Sequence, residues 1–277
     1  MSTKPSIFKR MFLLTWNTIN GLRKLFLNLV FFGLIAIIIV TLAADDTIEV
    51  ENGSALVLNL SGIIVDQKRQ VDPIEAAMKS GNETDGSGEI LLADVLTVIN
   101  NAAADDRISQ MVLDLGMLNG TGISKLQSIG NALESFKASG KTVVANGNWY
   151  GQNQYFLASF ADKVYLNPQG SVEIEGLGRY RLYFKSALEK LKINAHVFRV
   201  GTFKSAVEPF IRDDMSDAAK EANLVLLNDL WKSYADTVAA NRGINSVDLS
   251  LSADEYLKQL DKADGQTAEM ALNMNWV

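Results

Sequence analysis

Cysteine is absent from all 277 residues, which excludes disulfides, thiol nucleophiles and cysteine-bound metal. Histidine occurs once, at His196. One imidazole cannot form a multi-histidine zinc site within the chain, and it argues against a Ser-His-Asp triad. An excess of positive charge is also missing. The net charge of −6 argues against nucleic acid as a main partner. What remains is ordinary for a globular protein: 48% hydrophobic and 21% charged residues, enough to bury a core.

The charge is unevenly placed. Residues 1–44 carry Lys4, Lys9, Arg10, Arg23 and Lys24 and no acid. The rest of the chain sets its remaining 21 of 26 bases against all 32 acids. Leu25 to Ala44 holds only Asn28 and Thr41 as polar residues and nothing charged. About 20 apolar residues match a bilayer core at helical rise. Basic residues precede the run, and Asp45, Asp46 and Glu49 follow it. The positive-inside rule then predicts a cytoplasmic N-terminus and a body outside. A cleaved signal peptide is the rival reading, because Thr41, Leu42 and Ala43 offer small residues near a possible cut. Phe8, Phe12, Trp16 and Ile19 have helical spacing, as in an amphipathic stretch over 6–22 lying on the inner membrane face. The expected organisation is a basic N-terminus (1–24), an anchor (25–44) and one body (45–277).

In the body, Ala55–Leu60, Met111–Leu115, Thr142–Ala145, Val164–Leu166 and His196–Val200 read as short buried strands. Ile123, Leu126, Ile129, Leu133 and Phe136 form a helical stripe, and Gly140 supplies its stop. A second stripe runs through Leu226, Leu230, Tyr234 and Val238, opening after the capping candidates Ser216 and Asp217. Residues 79–89 read as a polar, glycine-rich loop. Strand–helix alternation predicts an α/β domain with a mainly parallel sheet. Ala268–Ala271 opens a helical pattern shortly before Trp276-Val277, so the pattern is expected to belong to a larger protein.

The most distinctive stretch is Val200–Ser216, which contains Lys204. A surface lysine is the plain reading. The sharper one is a general base, which requires a fall from about 10.4 toward neutrality, roughly 4 kcal/mol of disfavoured charge. Burial is the usual cause, and Phe203, Val207 and Phe210 are the apolar groups at hand. Ser205 is positioned to hydrogen-bond a neutral amine. Glu208, four residues on, would hold Lys204 charged if one helix joined them. Pro209 argues against such a helix, and Glu208 is expected to point away. Arg212, Asp213 and Asp214 read as a solvated loop or a fragment of a metal site. His196 reads as a core histidine. Ser61-Gly62, Asn119–Gly122 and Gly176–Gly178 are turns without phosphate-loop spacing. Amides near Gly120–Gly122 are candidates for an oxyanion pocket or a plain strand-to-helix turn.

Four blocks carry a family resemblance: Met111–Leu115 with its glycine-rich loop, Tyr155–Asp162, His196–Ser216 and Asp236–Arg242. Together with the N-terminal apolar run, they resemble the N-terminal half of the long form of bacterial signal peptide peptidases (protease IV, peptidase family S49). The resemblance implies a ClpP/crotonase-like fold and an oligomer outside the cytoplasmic membrane. It also implies a serine endopeptidase acting on cleaved signal peptides through a serine–lysine dyad, with no cofactor or metal. Carried onto this sequence, the base is Lys204. The nucleophile lies in a second homologous half, and Gln152, Asn153 and Gln154 stand here where that half carries Ser-Gly-Gly. Gln152 cannot be a nucleophile, and the family gives neither Ser205 nor Ser159 that role. The chain alone is therefore expected to be inactive. A membrane-tethered scaffold and a crotonase-like acyl-CoA enzyme are the alternatives.

Overall fold

The computed structural model describes residues 7–43, 50–69 and 88–277. Lys4, Ala44 and the acids at 45, 46 and 49 lie outside the described residues, as does most of the loop at 79–89. The chain divides into two units, Met1–Val50 and Glu51–Val277.

The first unit is one helix, α1 (Ile7–Ala43), 37 residues without a break. No boundary separates an amphipathic stretch from the apolar run; the helix passes through Arg23 and Lys24. Gly21 and Gly33 interrupt nothing, because each peptide still satisfies its own hydrogen bond one turn away. Thr15, Thr18 and Thr41 turn their hydroxyls back to carbonyls of the preceding turn. Arg10–Leu42 is long and apolar enough to cross a membrane, and a signal sequence passes the same test. At 1.5 Å per residue, α1 extends about 55 Å against a hydrocarbon core of about 30 Å.

The second unit runs in order through β1 (Ser54–Asn59), β2 (Ile63–Val65), β3 (Glu89–Leu91), α2 (Leu92–Ala104), β4 (Ile108–Asp114), α3 (Ile123–Ala138), β5 (Thr142–Gly147) and β6 (Tyr150–Gly151). Next come α4 (Gln152–Ala158), β7 (Lys163–Leu166), β8 (Val172–Glu173), α5 (Lys185–Lys190), α6 (Glu208–Ile211) and α7 (Asp217–Arg242). A 3-10 turn (Ser246–Leu249), α8 (Ala253–Lys262) and α9 (Thr267–Asn273) complete it. The main sheet is parallel throughout, in the order β1-β4-β5-β7. Its register sets Leu56 beside Met111, Met111 beside Val143, and Ala145 beside Val164. Two short parallel ladders, β2–β3 and β6–β8, lie beyond it. The α/β class expected from strand–helix alternation is therefore present.

The stripe on α3 buries Leu126, Ile129, Leu133 and Phe136. Gly140, at φ +85°, ends the turn that follows this helix, where a side chain would be strained. Gly130 lets α3 approach the loop after α4; a Cβ there would meet the Phe160 ring at 2.3 Å. Helix α4 is short and almost wholly buried, from Gln154 to Ala158. Ser216 caps α7 as expected, its hydroxyl accepting from the Ala219 amide at 3.3 Å. The α7 stripe covers the core only through Tyr234 and Val238. Leu226 is exposed, because the first half of the helix runs past the packed region.

One predicted strand is absent. His196–Val200 forms neither strand nor helix, and His196 is exposed rather than a core residue. A short segment rich in Val and Phe becomes a strand only where a sheet edge offers ladder bonds, and none of the described strands pairs with it. The surrounding segment, 178–207, has one short helix, α5, and otherwise irregular backbone. Tyr180 and Phe198 are 96% and 97% exposed, and Leu182 and Val200 are also solvent-facing.

Candidate active site

The turn from β6 into α4 bears three consecutive amides, each tied to backbone. Gln152 accepts from the Gly176 amide through Oε1 at 2.8 Å. Asn153 donates through Nδ2 to the Thr121 carbonyl at 3.3 Å. Gln154, buried, accepts from the Gly151 amide at 2.8 Å and donates to the Leu118 carbonyl at 3.2 Å. Tyr234 adds a bond from its hydroxyl to the Gln152 carbonyl at 3.0 Å. Burial pushes the Tyr234 hydroxyl far above its ordinary value, and nearby Tyr155 adds to this, so it keeps the proton that it donates. The turn borders a cavity of about 300 Å³ with Thr121, Gly122, Leu177 and Tyr234 in its wall. Asn119–Gly122 leads from β4 into α3 as a strand-to-helix turn, with Thr121 buried and its hydroxyl accepting from the Ile64 amide.

Of Ser159 and Ser205, only the first has a hydroxyl held by the fold. Ser159 is buried, donates to the Phe156 carbonyl at 2.7 Å and accepts from Asn241 at 3.1 Å. Ser205 sits beside Lys204 and its carbonyl accepts from Arg181.

Lys204 lies in an irregular loop opened by Gly201 at φ +107°. Its side chain is exposed, and the apolar neighbours do not cover it: Phe203 is 60% and Phe210 50% exposed. The described residues thus do not supply the expected burial. Glu208 opens α6 with Pro209 in the first turn, the helical position that tolerates proline. Lys204 is therefore not on the same helix. Glu208 is 1% exposed and accepts from the amide and hydroxyl of Ser216, with Arg199 at 3.8 Å. Burial alone would raise its carboxyl. The Ser216 hydrogen bonds, with Arg212 and Arg199 nearby, bring it below the ordinary carboxylate value. Asp213 accepts from the amide and hydroxyl of Ser186, and Asp214 pairs with Arg212 at 2.6 Å. These acids serve a loop. Among the described residues, no hydrogen bond or ion pair joins Lys204 to the amide turn.

Two features escaped the sequence. One is the pair of guanidinium groups, Arg181 and Arg199, bound to carbonyls of the Lys204 loop. The other is a cavity of about 590 Å³ walled by Trp231, Tyr256, Trp276 and Glu173.

The model of the family described as Peptidase family S49 matches residues 135–276, which include both the amide turn and Lys204. The chain belongs to peptidase family S49. It is 41% identical over 269 residues to Protease 4 of Salmonella typhi, covering 94% of this chain and 43% of that protein. Protease 4 of Haemophilus influenzae is 38% identical over 260 residues, covering 92% of this chain and 42% of that one. The chloroplastic serine protease SPPA of Arabidopsis thaliana is 25% identical over 213 residues, covering 77% and 29%. The S49 chain thus spans about two fifths of the length of the two bacterial relatives. Among solved structures, it resembles an enoyl-CoA hydratase/isomerase family protein from Silicibacter pomeroyi, at 12% identity and TM-score 0.24 over 60% of this chain and 84% of that one. A superposition that loose says nothing of the chemistry of this S49 member.

Proposed function

We propose that this chain is the lysine-bearing half of a membrane-tethered serine endopeptidase that degrades cleaved signal peptides. Lys204 is its general base, and the nucleophilic serine comes from a second homologous half. In that dyad a neutral amine takes the serine proton as the hydroxyl attacks, then returns it to the leaving amine. The same reading places 1–24 in the cytoplasm, spans the inner membrane with 25–44 and sets 45–277 on the periplasmic side in a ClpP/crotonase-like oligomer.

One observation carries the reading. Within the S49 match, Lys204 is exposed and, among the described residues, no carboxylate meets its amine, while the resemblance sets Gln152 where the serine-bearing half carries its nucleophile. A base with nothing to activate, and without apolar cover, calls for a second surface. The exposed side chains of Tyr180, Leu182, Phe198, Val200 and Phe203 support that part of the reading, because apolar patches of this kind mark interaction sites.

The experiment is complementation. The purified chain is assayed on a signal-peptide substrate alone and after co-expression with a serine-bearing S49 half. The expected result is no hydrolysis alone and hydrolysis with the second half, lost in Lys204→Met. Turnover by the chain alone, or no gain from the second half, would overturn the proposal.

A further inference from the structure

Three successive carbonyls of the Lys204 loop are gripped by guanidinium groups. Arg181 donates to the carbonyl oxygens of Ser205 at 3.1 Å and Ala206 at 3.3 Å. Arg199 donates to the carbonyl of Lys204 itself at 3.2 Å and also faces Glu208. Both arginines come from the irregular segment 178–207, so the backbone they hold has no ladder or helix to define it. A planar fork that binds two carbonyls at once supplies that definition, and an ammonium group cannot reproduce it.

The surrounding acids are all engaged elsewhere. Glu208 is held by Ser216 and Arg199, Asp213 by Ser186, and Asp214 by Arg212. Of the other cations, Arg179 binds Asn223 and Lys185 faces Glu189. Among the described residues no carboxylate reaches the Lys204 amine. Arg199 meets the loop at the Lys204 carbonyl, so removing it takes a cation from the loop and frees Glu208, and both changes favour a charged amine.

We propose that Arg181 and Arg199 are positioning residues for Lys204. Together they fix its loop, and Arg199 also retains Glu208, so that the amine enters catalysis without a counter-ion. The inference rests on the reading of Lys204 as the base.

The test uses the full chain assembled with the serine-bearing half. Profiles of kcat and KM against pH are compared for wild type, Lys204→Met, Arg181→Ala, Arg199→Ala, Arg199→Lys and the double variant Arg199→Ala with Glu208→Gln. Arg199→Ala is expected to lower kcat about tenfold at pH 7, leave KM within about twofold and move the acidic limb up by about one pH unit. Adding Glu208→Gln returns most of the limb, since the freed acid is gone. Arg199→Lys keeps the limb in place at reduced kcat. Arg181→Ala lowers kcat about fivefold at every pH, the mark of a lost fork rather than a lost field.

A limb that stays in place in Arg199→Ala overturns the inference. If Arg199→Ala fails to assemble, Arg199→Lys decides: a limb shifted upward despite the retained charge overturns it equally. Should Lys204→Met leave hydrolysis intact, the base reading itself falls. If Lys204→Met is dead while the Arg199 limb is unmoved, only the positioning role falls.

Discussion

Replacing Ser216 by alanine removes two interactions at once. The hydroxyl caps α7, accepting from the Ala219 amide, and it donates to the buried Glu208 carboxylate. Loss of a serine cap costs about 1 kcal/mol. Loss of a hydrogen bond to a buried charged group costs about 1.5–3 kcal/mol. Ser216→Ala should therefore destabilise the body by about 3 kcal/mol, roughly 6–12 °C for a domain of this size. Glu208 also fixes the pH dependence. Its folded carboxyl lies below its ordinary value of 4.5, so its contribution is complete above that value and fades as pH falls through the lower folded one. The penalty of Ser216→Ala should accordingly be larger at pH 7 than at pH 3. Urea denaturation of the full chain in detergent, followed by tryptophan fluorescence, measures both. A double-mutant cycle with Glu208→Gln should return a coupling of at least about 1 kcal/mol. A penalty under about 1 kcal/mol, one equal at both pH values, or strict additivity would refute the argument.

Other expectations follow from named contacts. Gln154→Ala leaves the Gly151 amide and the Leu118 carbonyl without their partner and should cost about 2–4 kcal/mol in the same denaturation assay. Gln152→Ala breaks one side-chain bond and should cost about 1 kcal/mol. Gly130→Ala forces a methyl against the Phe160 ring and should destabilise by about 1–3 kcal/mol; pairing it with Phe160→Leu should recover part of that loss. Phe198→Ser with Val200→Ser should change stability by less than about 0.5 kcal/mol, because both side chains face solvent. The same pair should weaken assembly with the serine-bearing half in size-exclusion chromatography.

The main sheet was legible because its short strands are rich in β-branched and other apolar residues, although each strand buries only alternate side chains. Ala55–Leu60, Met111–Leu115, Thr142–Ala145 and Val164–Leu166 overlap β1, β4, β5 and β7, with Leu60 and Leu115 each one residue beyond the strand. The α3 stripe was equally plain, since its spacing and the Gly140 stop agreed. His196–Val200 misled because hydropathy does not say whether a sheet edge is available. Lys204 stood out by its block, but its environment did not: Phe203 and Phe210 are exposed and only Val207 is half-buried. The partners of the amide turn lie 24 to 36 residues away, at Gly176, Thr121 and Leu118. Arg181 reaches Ser205 across 24 residues. Local pattern carries no information at such separations.

The Gln152 amide against the Gly176 N–H works as a built-in surrogate ligand. Its carbonyl gives that backbone donor what an incoming strand would otherwise offer, so the site is satisfied from within. Asn153 and Gln154 extend the same internal occupancy to Thr121 and Leu118. Replacing any one of the three side chains would orphan a backbone group that it now serves. The turn is in that sense a structural joint, and stability opposes changes to it.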